Sequence, residues 1–403
     1  MSILTSKHLL LGVTGSIAAY KAADLASKLT QEGAQVDVIL TSAAEKFVTP
    51  LTFQSVTGRK AFTEADLWGG EAHVLHVGLG HSADLLVIAP CTANTMAKLA
   101  HGIADNLLTI TALAARCPLL IAPAMDVGMF SHLATQENLK ILVARGAWIA
   151  GPAEGRMASG LSGKGRMVEP AELLGHIRLV LGKNGKLAGR KVVVTAGGTQ
   201  EPLDPVRVLT NRSSGKQGYA LAQAAIDAGA QVTLIAAPTA LSAPVGARLV
   251  EVRTAQEMLE AVLAESASVE ALLMAAAPAD FRPKTVAGDK LKKRDGIPHI
   301  ELEVAPDILE TVAGLGSRKP RVVVGFAAES RDLLENAAAK LASKKLDMIA
   351  ANDITAADAG FGADTNRITL IYADGRKEAL PLMSKTEVAE EIVARLAALL
   401  ENK

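Results

Sequence analysis

HLLLGVTG (residues 8–15) is an apolar run closed by a glycine turn, and AAYKAADLASKLTQEGA (18–34) follows it as a helical stretch. VDVILT (36–41) then returns to a short β-branched run. Strand, turn, helix and strand in this order make one βαβ unit with parallel strands. The pattern occurs twice. RKVVVTAG (190–197) again ends in glycine; after a longer loop, GYALAQAAIDAGA (218–230) is helical and VTLIAA (232–237) is a strand. Both helices run into GAQV, at 33–36 and 229–232, with the glycine placed to cap the helix C-terminus. The alternation predicts an α/β chain of two doubly wound, Rossmann-like domains. GKNGKLAGRK (182–191) is rich in Gly and Lys and lacks apolar periodicity, so the boundary is expected there, with domains over 1–182 and 188–403.

Bulk composition narrows the function. The chain has 403 residues, nearly half of them apolar, with 42 acidic and 42 basic side chains. That balance points to neither a nucleic-acid nor a membrane-surface partner. No apolar run approaches the roughly 18 residues of a membrane span. MSILTSKHLLLGVTGS reads as a first strand and not as a signal peptide. Two cysteines, Cys91 and Cys117, make no disulfide framework and fit buried free thiols in a reducing cytoplasm.

Further strands are expected at 84–90 and 118–125 in the first domain, and at 271–277, 321–329 and 346–353 in the second. Open α/β sheets bind ligands beyond the C-terminal ends of their strands. In the first domain this singles out the turn Gly15-Ser16-Ile17, whose backbone N–H groups face an anion at a helix N-terminus. The second strand ends in Thr41-Ser42 and lacks the carboxylate that a dinucleotide ribose needs. A mononucleotide such as FMN fits this turn better than NAD. Thr92 and Asn94 stand at another strand end, where helix capping is the plainer role. His76 lies in an apolar stretch ahead of the third strand, where a structural imidazole is the commoner case.

GSIAAYK, LHVGLGHSADLLVIAP, GIADNLLT, PAMDVGMF and SGLSGKGRM, spread in this order over 12–167, resemble the flavin-dependent cysteine decarboxylase family. The resemblance implies a flavodoxin-like flavoprotein domain with FMN at a subunit interface of a homo-oligomer. It implies transient oxidation of a substrate thiol, which supplies the electron sink that lets CO2 leave. His76 would then be the catalytic histidine, moving a proton at the substrate. Two positions depart from the family pattern. Asp126 replaces the Asn expected to meet the substrate carboxylate; either its pKa is raised, or it contacts something else. Ser159 occupies the flap position where many relatives carry Cys, and a hydroxyl is a far weaker acid than a thiol.

In the second domain, SSGK (213–216) is not a Walker A loop: Thr210 stands where the first glycine should be, and Gln217 follows the lysine. The loop from Gly197-Gly198 to SSGK is nonetheless long, which favours function. It carries Asp204, Arg207 and Asn211; Arg207 suits bidentate anion contacts. Ser213, Ser214 and Gly215 open a helix and are placed to hold phosphate. DKLKKRDG (289–296) supplies Lys290, Lys292, Lys293 and Arg294, a solvated loop on composition alone. Asp280, after a strand, suits a divalent cation such as Mg²⁺, with turn capping as the plainer role.

TAGGTQEPLDPVRVLTNRSSGKQG, AAAPADFRPKTVAGDKLKK, APDIL, VVGFAAE and AND, all within 190–353, resemble phosphopantothenate–cysteine ligases. The resemblance implies that CTP activates the 4′-phosphopantothenate carboxylate as an acyl-cytidylate, and that the cysteine amine then forms the amide. Asn211 would orient the acyl intermediate, Lys290 would contact the triphosphate, and Arg207 would fix the substrate end. Ala276, Phe326, the 305–308 turn with Asp307 and Ile308, and Lys340 and Lys344 would line the nucleotide site. Together the halves resemble bifunctional proteins of coenzyme A synthesis, with small-molecule substrates only. The rival expectations are a first domain that binds FMN without decarboxylating, and a dehydrogenase, which lacks GxGxxG.

Overall fold

The computed structural model describes residues 2–68, 74–293, 296–329, 332–353 and 363–403. Arg294, named above in the basic loop, lies outside them. The chain divides into two compact units, Met1–Leu181 and Gly182–Lys403.

The first unit has strands β1 (His8–Val13), β2 (Gln35–Leu40), β3 (Ala61–Phe62), β4 (Leu85–Cys91), β5 (Leu119–Pro123) and β6 (Trp148–Ile149). They form one parallel sheet in the order β3-β2-β1-β4-β5-β6. A hairpin of β7 (Ala153–Arg156) and β8 (Ser162–Arg166) stands outside it. Helices α1 (Ala19–Gln31), α2 (Pro50–Thr57), α3 (Leu75–Ser82), α4 (Ala93–His101) and α5 (Leu107–Ala114) fall among these strands. They are followed by α6 (Val127–Ser131), α7 (Leu133–Ala144) and α8 (Pro170–Gly182). Strands such as LLVIAPC are buried along their whole length, as expected for a parallel sheet covered on both faces. Strand order reverses between β1 and β4, so the crevice beyond their C-terminal ends is the natural ligand site.

At the opposite end of β1, His8 Nε2 meets Asp37 Oδ2 at 2.5 Å, and Arg59 donates to both Asp37 oxygens at 2.6 and 3.1 Å. The Asp37 hydrogen bond raises the His8 pKa above its ordinary range against the opposing effect of burial. A raised folded-state pKa contributes stability that is complete at low pH and is lost as pH rises through that pKa. Thermal unfolding followed from pH 6 to 9 (~pH 6.5 being the ordinary imidazole value) should therefore show a declining Tm, and His8→Gln should flatten the decline. Asp37→Ala, which leaves two cationic partners unmatched, should cost about 2–3 kcal/mol.

The second unit repeats the architecture. Its strands are β9 (Lys191–Ala196), β10 (Gln200–Pro202), β11 (Val208–Thr210), β12 (Gln231–Ala236), β13 (Arg248–Glu251), β14 (Ala271–Met274), β15 (Phe281–Pro283) and β16 (Leu302–Val304). They continue as β17 (Val322–Glu329), β18 (Met348–Asp353), β19 (Thr365–Asn366), β20 (Ile368–Tyr372), β21 (Lys377–Ala379) and β22 (Met383–Ser384). The main sheet runs β13-β12-β9-β14-β17-β18-β20-β21, parallel as far as β18 and antiparallel beyond. Short antiparallel pairs, β10–β11, β15–β16 and β19–β22, stand outside it. Helices α10 (Ala255–Ser266), α11 (Ile308–Ala313) and α12 (Leu333–Ser343) share one apolar core with the sheet. Helices α9 (Lys216–Asp227) and α13 (Lys385–Asn402) pack on each other and on the strands around β9. Right-handed crossovers put these two groups on opposite faces, because the chain reverses its direction of travel across the sheet between β13 and β14. Among the described residues of the chain, no helix is long and apolar enough to cross a membrane.

Candidate active sites

In the first unit, Gly15, Ser16 and Ile17 form the turn that leaves β1. Helix α1 begins with no side-chain cap and no acidic residue in its first turn, so its amide end is suited to an anion. Ile17 and Tyr20 are exposed there, offering apolar surface to a flat ring. The buried Thr14 hydroxyl bridges β1 to the end of β4, donating to the Pro90 carbonyl at 2.7 Å and accepting the Thr92 N–H at 3.1 Å. Two hydroxyls expected near the cofactor, those of Thr41 and Thr92, make local bonds. Thr41 Oγ1 accepts from Ala44 N–H, and Thr92 caps α4. Asn94 is exposed in the first turn of α4 and has no side-chain partner among the described residues. These features fit FMN through backbone groups and Asn94, with the two threonines shaping the turns.

His76 sits in the first turn of α3, half-buried, and its ring has no hydrogen-bond partner among the described residues. Asp126 and Ser159, the two departures from the family pattern, touch each other. Asp126 caps α6 through the Gly128 N–H at 3.0 Å, and Ser159 Oγ, at the tip of the β7–β8 flap, donates to Asp126 Oδ2 at 2.5 Å. Nearer its base the flap is held by the Met125 N–H on the Gly165 carbonyl at 3.0 Å. Gly165 permits this approach, since a Cβ there would lie 2.3 Å from the Met125 carbonyl oxygen. The Ser159 hydroxyl, and after it the Gly128 N–H, hold the Asp126 carboxyl below its usual range. The Asp126 carboxylate thus contacts the flap. A lowered pKa means the tether is complete above the ordinary carboxylate range and is lost as pH falls through the folded value. Limited proteolysis at the flap should accelerate at acid pH in the native chain and be fast at every pH in Ser159→Ala.

The second unit holds a cavity of about 840 Å³ at the C-terminal ends of its strands. Of the residues expected from sequence, Asn211, Ser213, Ser214, Gly215, Ala276, Asp280, Asp307, Ile308, Phe326 and Lys340 all line it. Gly215 is the N-cap of α9 at φ +75°, and a Cβ there would come 2.7 Å from Thr239 Cγ2. The helix has no side-chain cap and no acid in its first turn, so its N–H groups are open to phosphate. Gly215→Ala should weaken anion binding at α9 through this strain, seen as a raised Kd for pyrophosphate in calorimetry. Asn211 donates its carboxamide N–H groups to the carbonyls of Ala277 and Pro278 at 3.3 and 3.0 Å, which leaves Oδ1 as an acceptor. Lys340 Nζ donates to the Phe326 carbonyl at 3.1 Å. Asp280 is a lone exposed carboxylate, and no group of three or more His, Cys, Asp or Glu side chains placed to hold a metal occurs among the described residues. One carboxylate beside a phosphate site nonetheless fits Mg²⁺, which binds mainly through substrate phosphates and water.

Three expected residues stand outside the cavity lining: Arg207, Lys290 and Lys344. The Lys344 ammonium is paired with Asp307 and Glu310 at 2.9 and 2.7 Å. Arg207 pairs with Asp204 at 3.1 Å. Lys290 is exposed and has no partner among the described residues. Sequence reasoning gave Asp204 no role, yet its side chain is fully buried and accepts from the N–H groups of Val206, Arg207 and Leu291. Burial would raise its pKa, but these N–H donors prevail and hold it low. Asp204 therefore ties the long loop to the basic segment that carries Lys290. An Asx-type turn in DPVR was the available signal for the local bonds; the bond to Leu291 had none.

Comparison with known proteins follows this division. Residues 2–181 match a family model described as Flavoprotein, and 187–400 match the DNA/pantothenate metabolism flavoprotein C-terminal domain. The chain is 45% identical over 400 residues to the coenzyme A biosynthesis bifunctional protein CoaBC of Bacillus subtilis, covering 98% of both chains. It is 44% identical over 395 residues to the protein of that name from Vibrio cholerae, again covering 98% of both. A crystal structure of the C-terminal domain of a CoaBC protein aligns over 54% of this chain and all of that one, at 40% identity and a TM-score of 0.47.

Proposed function

Since the chain belongs to the DNA/pantothenate metabolism flavoprotein family of bifunctional coenzyme A biosynthesis proteins, we propose that its first domain (1–182) binds FMN and its second (188–403) uses CTP and Mg²⁺. The enzyme has decarboxylase and ligase activities in coenzyme A biosynthesis. The ligase joins 4′-phosphopantothenate to cysteine, and the decarboxylase removes the carboxylate of that cysteine.

The observation that carries the ligase reading is the pinned Asn211 beside the uncapped α9 N-terminus, in one cavity. A free carboxylate is a poor electrophile, so it is first converted to an acyl-cytidylate with loss of pyrophosphate. Ser213, Ser214 and Gly215 hold phosphate oxygens, and Lys340 and Asp307 stand at the nucleotide end. Lys290 reaches the triphosphate from its exposed segment, and Arg207 and Lys344 act from outside the lining. Asn211 Oδ1 accepts an N–H of the cysteine amine and aims it at the acyl carbon. Asp280 would hold Mg²⁺, which would offset phosphate charge during activation.

In the first domain, FMN when bound supplies reversible two-electron oxidation. The turn at Gly15–Ile17 and Asn94 hold it, and His76 moves a proton at the substrate. Asp126 and Ser159 close the flap and exclude water. The chain works as a homo-oligomer with FMN at a subunit interface, in the cytoplasm. Purified protein should release stoichiometric FMN and should form pyrophosphate from 4′-phosphopantothenate, CTP and Mg²⁺. Bound FAD, no flavin, or equal use of ATP would contradict this reading.

A further inference from the structure

Lys21 stands in the first turn of α1 and is 8% exposed. A cation at that end opposes the helix dipole, and burial adds a desolvation cost, so a partner has to offset both. Lys21 Nζ donates to Glu169 Oε1 at 2.6 Å and to the Met167 carbonyl at 3.4 Å. Both acceptors belong to the three residues, 167–169, that lead from the flap strand β8 into α8. Met167 and Val168 are buried in the same apolar core as α1. Arg166, the last residue of β8, approaches the same Glu169 oxygen at 3.5 Å. Its side chain lies across β7 at Gly155, where a Cβ would come 2.9 Å from Arg166 Nη1. One carboxylate thus joins both strands of the flap to α1.

Helix α1 is also the element whose uncapped end follows the turn at Gly15–Ile17. At its other end Glu32 pairs with Arg178 of α8 at 3.5 Å, so a second ion pair already joins these two helices. What the Lys21 pair adds is the position of the flap's foot relative to the flavin turn. We propose that Lys21 and Glu169 are positioning residues for decarboxylation, holding the flap where it closes over the bound substrate; the assignment rests on the reading of the first domain given above. Breaking the pair makes the closed flap a smaller fraction of the population. Apparent affinity falls by that fraction, while the closed state reacts as before.

The test is steady-state CO2 release from 4′-phosphopantothenoylcysteine by the full-length, flavin-loaded protein, with rates expressed per bound flavin. Tryptic cleavage after the exposed Arg156 of the flap is followed in parallel. Lys21→Met and Glu169→Gln should each raise KM about fivefold, speed the cleavage by a similar factor, and leave kcat within about twofold. The double variant strands no charge and should be no worse than the poorer single one. Glu32→Gln, at the far end of α1, should change neither KM nor cleavage. A general weakening of the first unit would instead lower flavin content and leave the KM of the loaded protein alone. Unchanged KM and cleavage in flavin-loaded Glu169→Gln, whose side chain is exposed, would overturn the proposal whatever the folding of Lys21→Met. Additive losses, a loss confined to kcat or flavin content, or an equal KM rise in Glu32→Gln would overturn it too. Native protein without flavin, or loaded native protein that releases no CO2, sinks the reading of the first domain itself, a result distinct from these.

Discussion

Asn211→Ala keeps CTP-dependent pyrophosphate release but loses amide formation by about a hundredfold, or roughly 2.7 kcal/mol of transition-state stabilisation. The separation follows from how the carboxamide is used. Its N–H groups are committed to Ala277 and Pro278, so they cannot serve phosphate. The anion donors are the N–H groups that open α9, and these do not depend on Asn211. What the substitution removes is an acceptor, and the reaction partner with N–H groups to offer is the attacking amine. Loss of the two tethers also loosens the loop, so a severalfold rise in the acyl-donor KM is expected as well. Rapid quenching should show a burst of pyrophosphate and a persistent acyl-nucleotide. A fall in pyrophosphate in step with the amide would mean that Asn211 acts on activation.

His76→Gln should lower CO2 release about a thousandfold, within the span of general acid–base catalysis, and leave pyrophosphate release intact. The imidazole is half-buried, stands in the first turn of α3, and has no partner among the described residues that would make it structural. Glutamine preserves much of the shape and one hydrogen bond but cannot carry a proton at neutral pH. Single-turnover assays on preformed 4′-phosphopantothenoylcysteine isolate this step from the ligase. A loss below tenfold would make His76 a binding residue. Ser159→Cys, by contrast, exchanges the flap's bond to Asp126 for a weaker donor, so a faster flap opening is expected along with any gain in acidity.

The two βαβ patterns were legible because burial on both faces forces near-continuous runs such as VVVTA and LLVIAP, and because the turns after β1 and β9 carry glycine. The antiparallel additions were not. SGKGR in β8 holds no β-branched or aromatic residue, and its place against Met125 depends on a missing Cβ at Gly165. Residues around Ser213 and Ala276 were readable as strand ends and a helix start. Thr41 and Thr92 show the limit of such reading: a hydroxyl at a strand end is equally able to cap the local backbone, and here both do. Long cationic side chains were least legible, since Arg207 is held by a carboxylate buried within its loop and Lys344 by the one that caps α11.

Consecutive reactions are proposed to run on this one chain, despite aspartate at 126 and serine at 159. The most direct measurement supplies purified protein with 4′-phosphopantothenate, cysteine, CTP and Mg²⁺, and follows pyrophosphate and CO2 in the same vessel. Pyrophosphate followed by an equal amount of CO2 is the predicted result. Pyrophosphate with no CO2 would contradict it, leaving a working ligase joined to a flavin domain that does not turn over.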